Sequence, residues 1–197
     1  MDIGAGWGAL ALAIAPLIDE VIAIDPSKKN LDVAELKANE KNLKNIEFVV
    51  GDFLQLNVEE KVNTIVSSIA FHHVFDYQKE AIQILWDLLK DEGRVVLCDH
   101  ALLFFNPKKE QEKLNKNLRS MLGMMMNKSE CDRYMGLLEE IAQSDIFTWK
   151  DVKTWARQIG ENFYKADDLI RFFEEVGFKI EKIEELTPFF GIICAKK

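Results

Sequence analysis

The eight residues that open the chain, Met1-Asp2-Ile3-Gly4-Ala5-Gly6-Trp7-Gly8, constrain its fold more than any other stretch. Three alternate glycines follow a short apolar entry and precede a helical run over residues 9–15. Gly4 and Gly6 allow a sharp turn and a close approach of backbone to ligand, where a side chain would clash. Gly8 then opens a helix whose free N–H groups and dipole face that turn. A strand, a glycine-rich turn and a helix N-terminus together make a site for a nucleotide or nucleotide-like group. The spacing also reads as Gly4-x-Gly6-x-x-Ala9, a dinucleotide fingerprint with alanine in third place.

The next element narrows the reading. Val21-Ile22-Ala23-Ile24 is a short apolar run of β type, with Asp25 at its carboxyl end, followed by Pro26 and Ser27. In a parallel doubly wound sheet that end faces the ligand crevice, and a carboxylate there accepts hydrogen bonds from ribose hydroxyls. Ser27 caps a helix whose inner stripe is Leu31, Ala34 and Ala38. Residues 46–50 form a third strand that ends at Gly51-Asp52-Phe53, and residues 62–69 a fourth. Strands alternating with helices call for a parallel sheet with right-handed crossovers.

Past the fourth strand, Ser67-Ser68-Ile69-Ala70 runs into Phe71-His72-His73. Imidazole titrates near neutral pH, so His72 and His73 are candidates for a general base. A helix over 77–90 puts Ile82, Leu85, Trp86 and Leu89 inward, and a fifth strand over 95–100 carries Asp99 and His100 to its carboxyl end. Those two residues suit an acceptor pocket or a cap on the next segment. From 101 to 163 the alternation stops. Asn106-Pro107, Ser129-x-x-Asp132 and the apolar spacings around Met121 and Trp155 describe a helical cap, in which Met121, Met124, Met125 and Met126 offer a soft apolar wall. A last helix over 165–176, with Asp167 as its cap, ends at Gly177. Strands over 179–186 and 189–195 close the chain.

Asp2-Ile3-Gly4-Ala5-Gly6-Trp7-Gly8 followed by Val21-Ile22-Ala23-Ile24-Asp25-Pro26-Ser27 resembles motifs I and II of the class I S-adenosylmethionine (SAM)-dependent methyltransferases. Gly51-Asp52-Phe53 resembles the family's adenine-binding turn. The Ser67 to His73 stretch resembles motif IV of the small-molecule members related to the ubiquinone/menaquinone C-methyltransferases. The resemblance implies an α/β fold: a doubly wound, mostly parallel seven-stranded Rossmann-like sheet with a C-terminal antiparallel strand pair. Residues 1–100 and 164–197 would form the SAM-binding core, and 101–163 the substrate-side cap.

It further implies that Asp2, Gly4, Gly6 and Gly8 hold the methionine part of SAM. Asp25, with Pro26 beside it, would hold the ribose, and Asp52 with Phe53 the adenine. Ser67 and Ser68 would line the donor-methyl side. Because Met1 falls inside the expected central strand, the resemblance also implies residues ahead of it.

Charge and composition bound the partners. A net charge of −8 argues against DNA or bulk RNA as substrate, and 48% hydrophobic with 29% charged residues describes a globular chain. Cys98, Cys131 and Cys194 form no C-x-x-C pair, so no metal site and no disulfide framework is expected. There is no signal-peptide pattern and no apolar run of bilayer length, so the expectation is a cytoplasmic enzyme with a small-molecule substrate and no membrane partner. Oligomeric state and acceptor atom have no signature. Two other readings remain at this point: a non-catalytic or truncated SAM-binding relative, and an NAD-dependent oxidoreductase, which Ala9 and Asp25 also permit.

Overall fold

The computed structural model describes residues 1–56, 58–99, 102–103, 154, 157, 162, 164–187 and 190–197. Seven strands form one sheet in the order β3-β2-β1-β4-β5-β9-β8. These are β1 (Asp2–Ile3), β2 (Val21–Asp25), β3 (Ile46–Val50), β4 (Val62–Ser68), β5 (Leu89–Asp99), β8 (Lys179–Thr187) and β9 (Phe190–Lys196). The first five in that order run parallel, and β9 joins β5 and β8 antiparallel. A separate two-stranded parallel pair joins β6 (Leu102–Leu103) to β7 (Tyr164–Lys165).

β2 explains why the sheet is covered on both faces. All five of its residues are buried. A strand with no polar alternation has to be sandwiched between layers. Val21 and Ala23 pack with Ala11 of α1 (Ala9–Ile14) and Ala15 just beyond it. Ile22 and Ile24 join the larger core on the other side, with Ile3, Ile65, Leu97 and Ile193 from the sheet. Ala81, Ile82 and Leu85 of α3 (Gln78–Leu88) and Leu169 and Phe173 of α4 (Ala166–Val176) close that core. Burying a side chain such as Phe173 stabilises the fold by about 1.5–3 kcal/mol. The fold is the doubly wound, Rossmann-like architecture expected.

Helix α2 (Lys28–Glu40) buries Leu31, Ala34 and Ala38, and the Ser27 hydroxyl accepts from Asn30 N at 3.3 Å, as its cap position requires. Several boundaries differ from the sequence reading. Pro16 ends α1 early, and the chain continues as a 3-10 turn over Ala15–Leu17. β5 starts at Leu89 rather than Val95, because Leu89 already pairs with Val62, and a register irregularity separates that bridge from the regular pairing that begins at Arg94 opposite Thr64. Asp167 is not the cap of α4. Lys165 holds that position without a side-chain bond, and Asp167 and Asp168 lie in the first turn, where their charge suits the helix dipole.

Candidate active site

A cavity of about 490 Å3 opens at the carboxyl ends of the parallel strands. Its floor is the glycine turn after β1. Gly4, Gly6 and Gly8 all have positive φ, at 78°, 54° and 78°. Gly4 N and Ala5 N both donate to Ile24 O at 2.8 Å, which stitches the turn to β2. A β-carbon on Gly4 would stand 2.2 Å from Ala70 Cβ, whereas one on Gly6 would meet nothing within 4 Å. Gly4 is therefore required by the protein's own packing, and Gly6 leaves space that belongs to the cavity.

Asp25 organises the wall beside this turn. Its Oδ2 accepts from Gly6 N at 2.8 Å, and Oδ1 accepts from Ser27 N at 2.9 Å and Asn30 Nδ2 at 3.2 Å. Asp25 is 6% exposed and lines the cavity, and its carboxylate ties the turn to the start of α2. Two carboxylate oxygens offer about four lone-pair directions, so three bonds leave capacity for a ligand hydroxyl. At the end of β3, Asp52 Oδ1 accepts from Leu54 N at 2.8 Å and Gln55 N at 2.9 Å, an Asx turn that leaves Oδ2 without a protein donor among the described residues. Phe53 is buried edge-on to Phe71, with ring centroids 5.1 Å apart, and presents to the cavity.

The remaining wall is the segment after β4. Ile69 has φ 54°, an unfavourable conformation for a β-branched residue, and its N–H donates to Cys98 O at 2.8 Å. A 3-10 turn over Phe71–His73 follows. His72 is buried: its Nδ1–H donates to Asp99 Oδ1 at 2.8 Å and its backbone N to Asp99 Oδ2 at 2.9 Å. The His73 ring lies against that of His72, centroids 3.9 Å apart, and lines the cavity. Val74 O accepts from Gln78 Nε2 and Asn162 Nδ2 at 2.9 and 3.3 Å, and the single Tyr164 hydroxyl hydrogen is shared between Val74 O and Phe71 O, each 2.8 Å away. Burial pushes the Tyr164 phenol well above its usual range, so it remains a donor. Arg157 pairs with Asp76 and lies over the Phe75 ring, 5.9 Å from its centroid.

Of the residues singled out from the sequence, Gly4, Gly6, Asp25, Pro26, Asp52, Phe53 and His73 line the cavity. Asp2, Gly8, Ser67, Ser68 and His72 are not on its wall. Ser67 and Ser68 lie at the end of β4, beside this wall, and the chain that lines the cavity there is Ile69 and Ala70. His72 is out of direct contact, because Asp99 draws it inward. Gly8 instead caps α1 in the left-handed conformation. Asp2 is 1% exposed with Oδ2 unpartnered, and burial raises its pKa from 3.8 to about 6. Ser67 Oγ is likewise buried and unpartnered.

Ile69, Val74, Phe75 and Leu54 are wall residues that the sequence reading did not pick out, and apolar side chains in a loop carry no signal that could have found them. His100, the methionines from Met121 to Met126 and nearly all of the 101–163 cap lie outside the described residues. Among the described residues no group of three or more His, Cys, Asp or Glu could hold a metal ion, and no helix is long and apolar enough to cross a membrane.

Strand order, the glycine turn and the acidic end of β2 define the class I methyltransferase fold. Residues 1–93 match the family described as the methyltransferase domain. An uncharacterized methyltransferase from Alkaliphilus oremlandii (strain OhILAs) is 28% identical over 198 residues, covering 100% of this chain and 74% of the relative. The uncharacterized methyltransferase YcgJ from Bacillus subtilis (strain 168) is 37% identical over 101 residues, covering 51% of this chain and 40% of the relative. Among solved structures, an S-adenosylmethionine dependent methyltransferase from Mesorhizobium loti superposes with a TM-score of 0.64 at 14% identity, over 100% of this chain and 89% of that one. The chain is similar to SAM-dependent methyltransferases in its first 93 residues and in its fold, and SAM is the cofactor of that class. The residues present fit such a group. Gly6 leaves room for it, and buried, unpartnered Asp2 Oδ2 lies in β1, just ahead of the glycine turn.

Proposed function

We propose that this protein transfers a methyl group from SAM to a small-molecule acceptor, in the manner of the ubiquinone/menaquinone C-methyltransferase-like enzymes that the Ser67–His73 stretch resembles. One observation carries the reading: a single cavity gathers Gly4 and Gly6, Asp25, and Asp52 with Phe53 from three successive strand ends. Asp25 holds the ribose hydroxyls with its remaining lone pairs, and Asp52 Oδ2 accepts from the adenine amino group while Phe53 packs against the ring. The glycine turn serves the methionine end, with Asp2 buried behind it in β1. SAM supplies a methyl already activated on a sulfonium, so the protein's own task is to align the acceptor and exclude water.

A volume of about 490 Å3 lies within the range of small-molecule sites, roughly 300–1,000 Å3. The described wall carries Asp25 and Asp52 but no Lys or Arg, which disfavours phosphate-rich acceptors such as nucleic acid. Residues 1–100 and 164–197 serve as the core and 101–163 as the cap over the acceptor side. The pairing of Arg157 with Asp76 beside the cavity supports that division. A cytoplasmic location accords with this chemistry.

Calorimetric titration with S-adenosylhomocysteine, with NAD as control, tests the proposal. Micromolar binding of the former, lost in Asp25→Ala, is expected. Tighter binding of NAD would replace the reading with an oxidoreductase, and no binding of either by folded protein would favour a non-catalytic relative.

A further inference from the structure

On the SAM reading above, Asp25 is the carboxylate that meets the ribose, and its orientation is set from outside the cavity. Oδ1 takes two donors, Ser27 N and Asn30 Nδ2, whereas Oδ2 takes one, Gly6 N. Each carboxylate oxygen offers about two lone-pair directions, so among the described residues Oδ2 keeps one open and Oδ1 does not. The carboxylate is therefore asymmetric toward a ligand.

That asymmetry depends on Asn30, and Asn30 depends on Trp7. An amide supports a carboxylate only with its NH2 end toward the oxygen, because the reversed amide sets two acceptors against each other. Trp7 Nε1–H donates to Asn30 Oδ1 at 3.0 Å. An indole N–H can only donate, so it draws Oδ1 toward Trp7 and leaves Nδ2 for Asp25. The indole is itself held along α2. Asn30, Ala34 and Lys37 recur on one face of that helix, at i, i+4 and i+7. Lys37 Nζ stands 5.7 Å from the centroid of the Trp7 ring. A β-carbon on Gly8 would lie 2.8 Å from Ala34 Cβ, so the glycine turn packs directly on the same face. Trp7 is 64% exposed, and burial therefore gives little reason for a tryptophan in this place.

We propose that Trp7 and Asn30 are positioning residues for the cofactor: the indole N–H orients the Asn30 amide, the amide occupies Asp25 Oδ1, and Oδ2 is left as the open acceptor. One ribose hydroxyl, the one that meets Oδ2, is then bound much more strongly than the other. Neither Trp7 nor Asn30 lines the cavity, and both act through Asp25. The requirement at residue 7 is for a side-chain donor more than for an apolar ring.

The test is calorimetric titration of the whole chain with S-adenosylhomocysteine and with its 2′-deoxy and 3′-deoxy analogues. The native protein should bind one analogue within about threefold of S-adenosylhomocysteine and the other about tenfold or more weakly, the loss expected for one hydrogen bond to a carboxylate. Asn30→Ala opens a lone pair on Oδ1 while keeping the backbone N–H of residue 30 on Ser27 Oγ. Trp7→Phe keeps a ring beside Lys37 and removes the N–H that orients the amide. In both variants the contrast between the two analogues should shrink to about threefold or less, with the melting temperature within about two degrees of native. A native protein that binds both analogues alike would overturn the proposal while leaving the cofactor reading intact. So would a contrast of about tenfold that survives in either variant. Equal weakening of all three ligands in Trp7→Phe would also overturn it, by making the indole a support of the turn and not of Asp25. Failure of the native protein to bind S-adenosylhomocysteine would remove the cofactor reading and this inference with it.

Discussion

Gly4 and Ala70 meet where two loops cross: a β-carbon added to Gly4 would lie 2.2 Å from the Ala70 Cβ, well inside van der Waals contact. Gly6, two residues away, has open space around the same position. The two glycines therefore separate packing from binding. Gly4→Ala forces either the glycine turn or the segment after β4 to move, and should cost about 3 kcal/mol or more in stability together with cofactor affinity. Gly6→Ala carries only the left-handed penalty, about 1–2 kcal/mol, yet puts a methyl group into the cavity. Thermal melts and S-adenosylhomocysteine titrations of both variants should show Gly4→Ala losing stability and binding, and Gly6→Ala losing mainly binding.

Asp2 makes stability depend on pH. Its folded pKa is raised from 3.8 to about 6 by burial, so between those values the folded state holds a proton that the unfolded state has released. Stability on this account is full below about pH 4 and falls as pH rises through 6, by about 3 kcal/mol in all. Asp2→Asn removes the penalty and should raise the melting temperature at pH 7.5 but not at pH 4. A rise of equal size at both pH values would mean that the Asp2 carboxyl is not the group responsible.

Asp99 supports two buried donors of His72 at once. Asp99→Ala takes this acceptor from both, at about 1–3 kcal/mol each. Asp99→Asn retains one acceptor oxygen and should lose about half as much. Tyr164→Phe should cost only about 1 kcal/mol, since Gln78 and Asn162 still donate to Val74 O. Urea unfolding of the three variants gives the ranking, and an equal loss in Asp99→Asn and Tyr164→Phe would contradict it.

Ile69 is half-exposed and left-handed. Replacing it by Asn, which tolerates that conformation, should relieve about 1 kcal/mol of backbone strain while giving up little buried apolar surface. The melting temperature of Ile69→Asn should rise by a few degrees. If it falls instead, the exposed Ile69 side chain is contributing packing that outweighs the strain.

Much of the cavity wall around the glycine turn was legible in the sequence. Gly4, Gly6, Asp25, Asp52 and Phe53 are local signals, each a turn or strand end whose chemistry is set by its immediate neighbours, and all five line the cavity. The wall after β4 was much less so. His72 and His73 are adjacent in sequence and identical in chemistry, yet one is buried and the other lines the cavity. What separates them is Asp99, 27 residues away. Ser67 and Ser68 pointed to the right strand end but missed the wall, because the left-handed turn at Ile69 carries the chain past them.

The sequence by itself determined the order of strands and helices through residue 99, the closing strand pair and the glycine turn. Periodicity and backbone sterics act over a few residues and need no distant partner. The tertiary structure decided which imidazole reaches the cavity, that Asp2 is buried with one oxygen unpartnered, and that Tyr164 and Asn162 hold Val74 from about ninety residues away. Those outcomes depend on desolvation and on hydrogen bonds between segments far apart in the chain, and such bonds exist only once the sheet has brought the segments together.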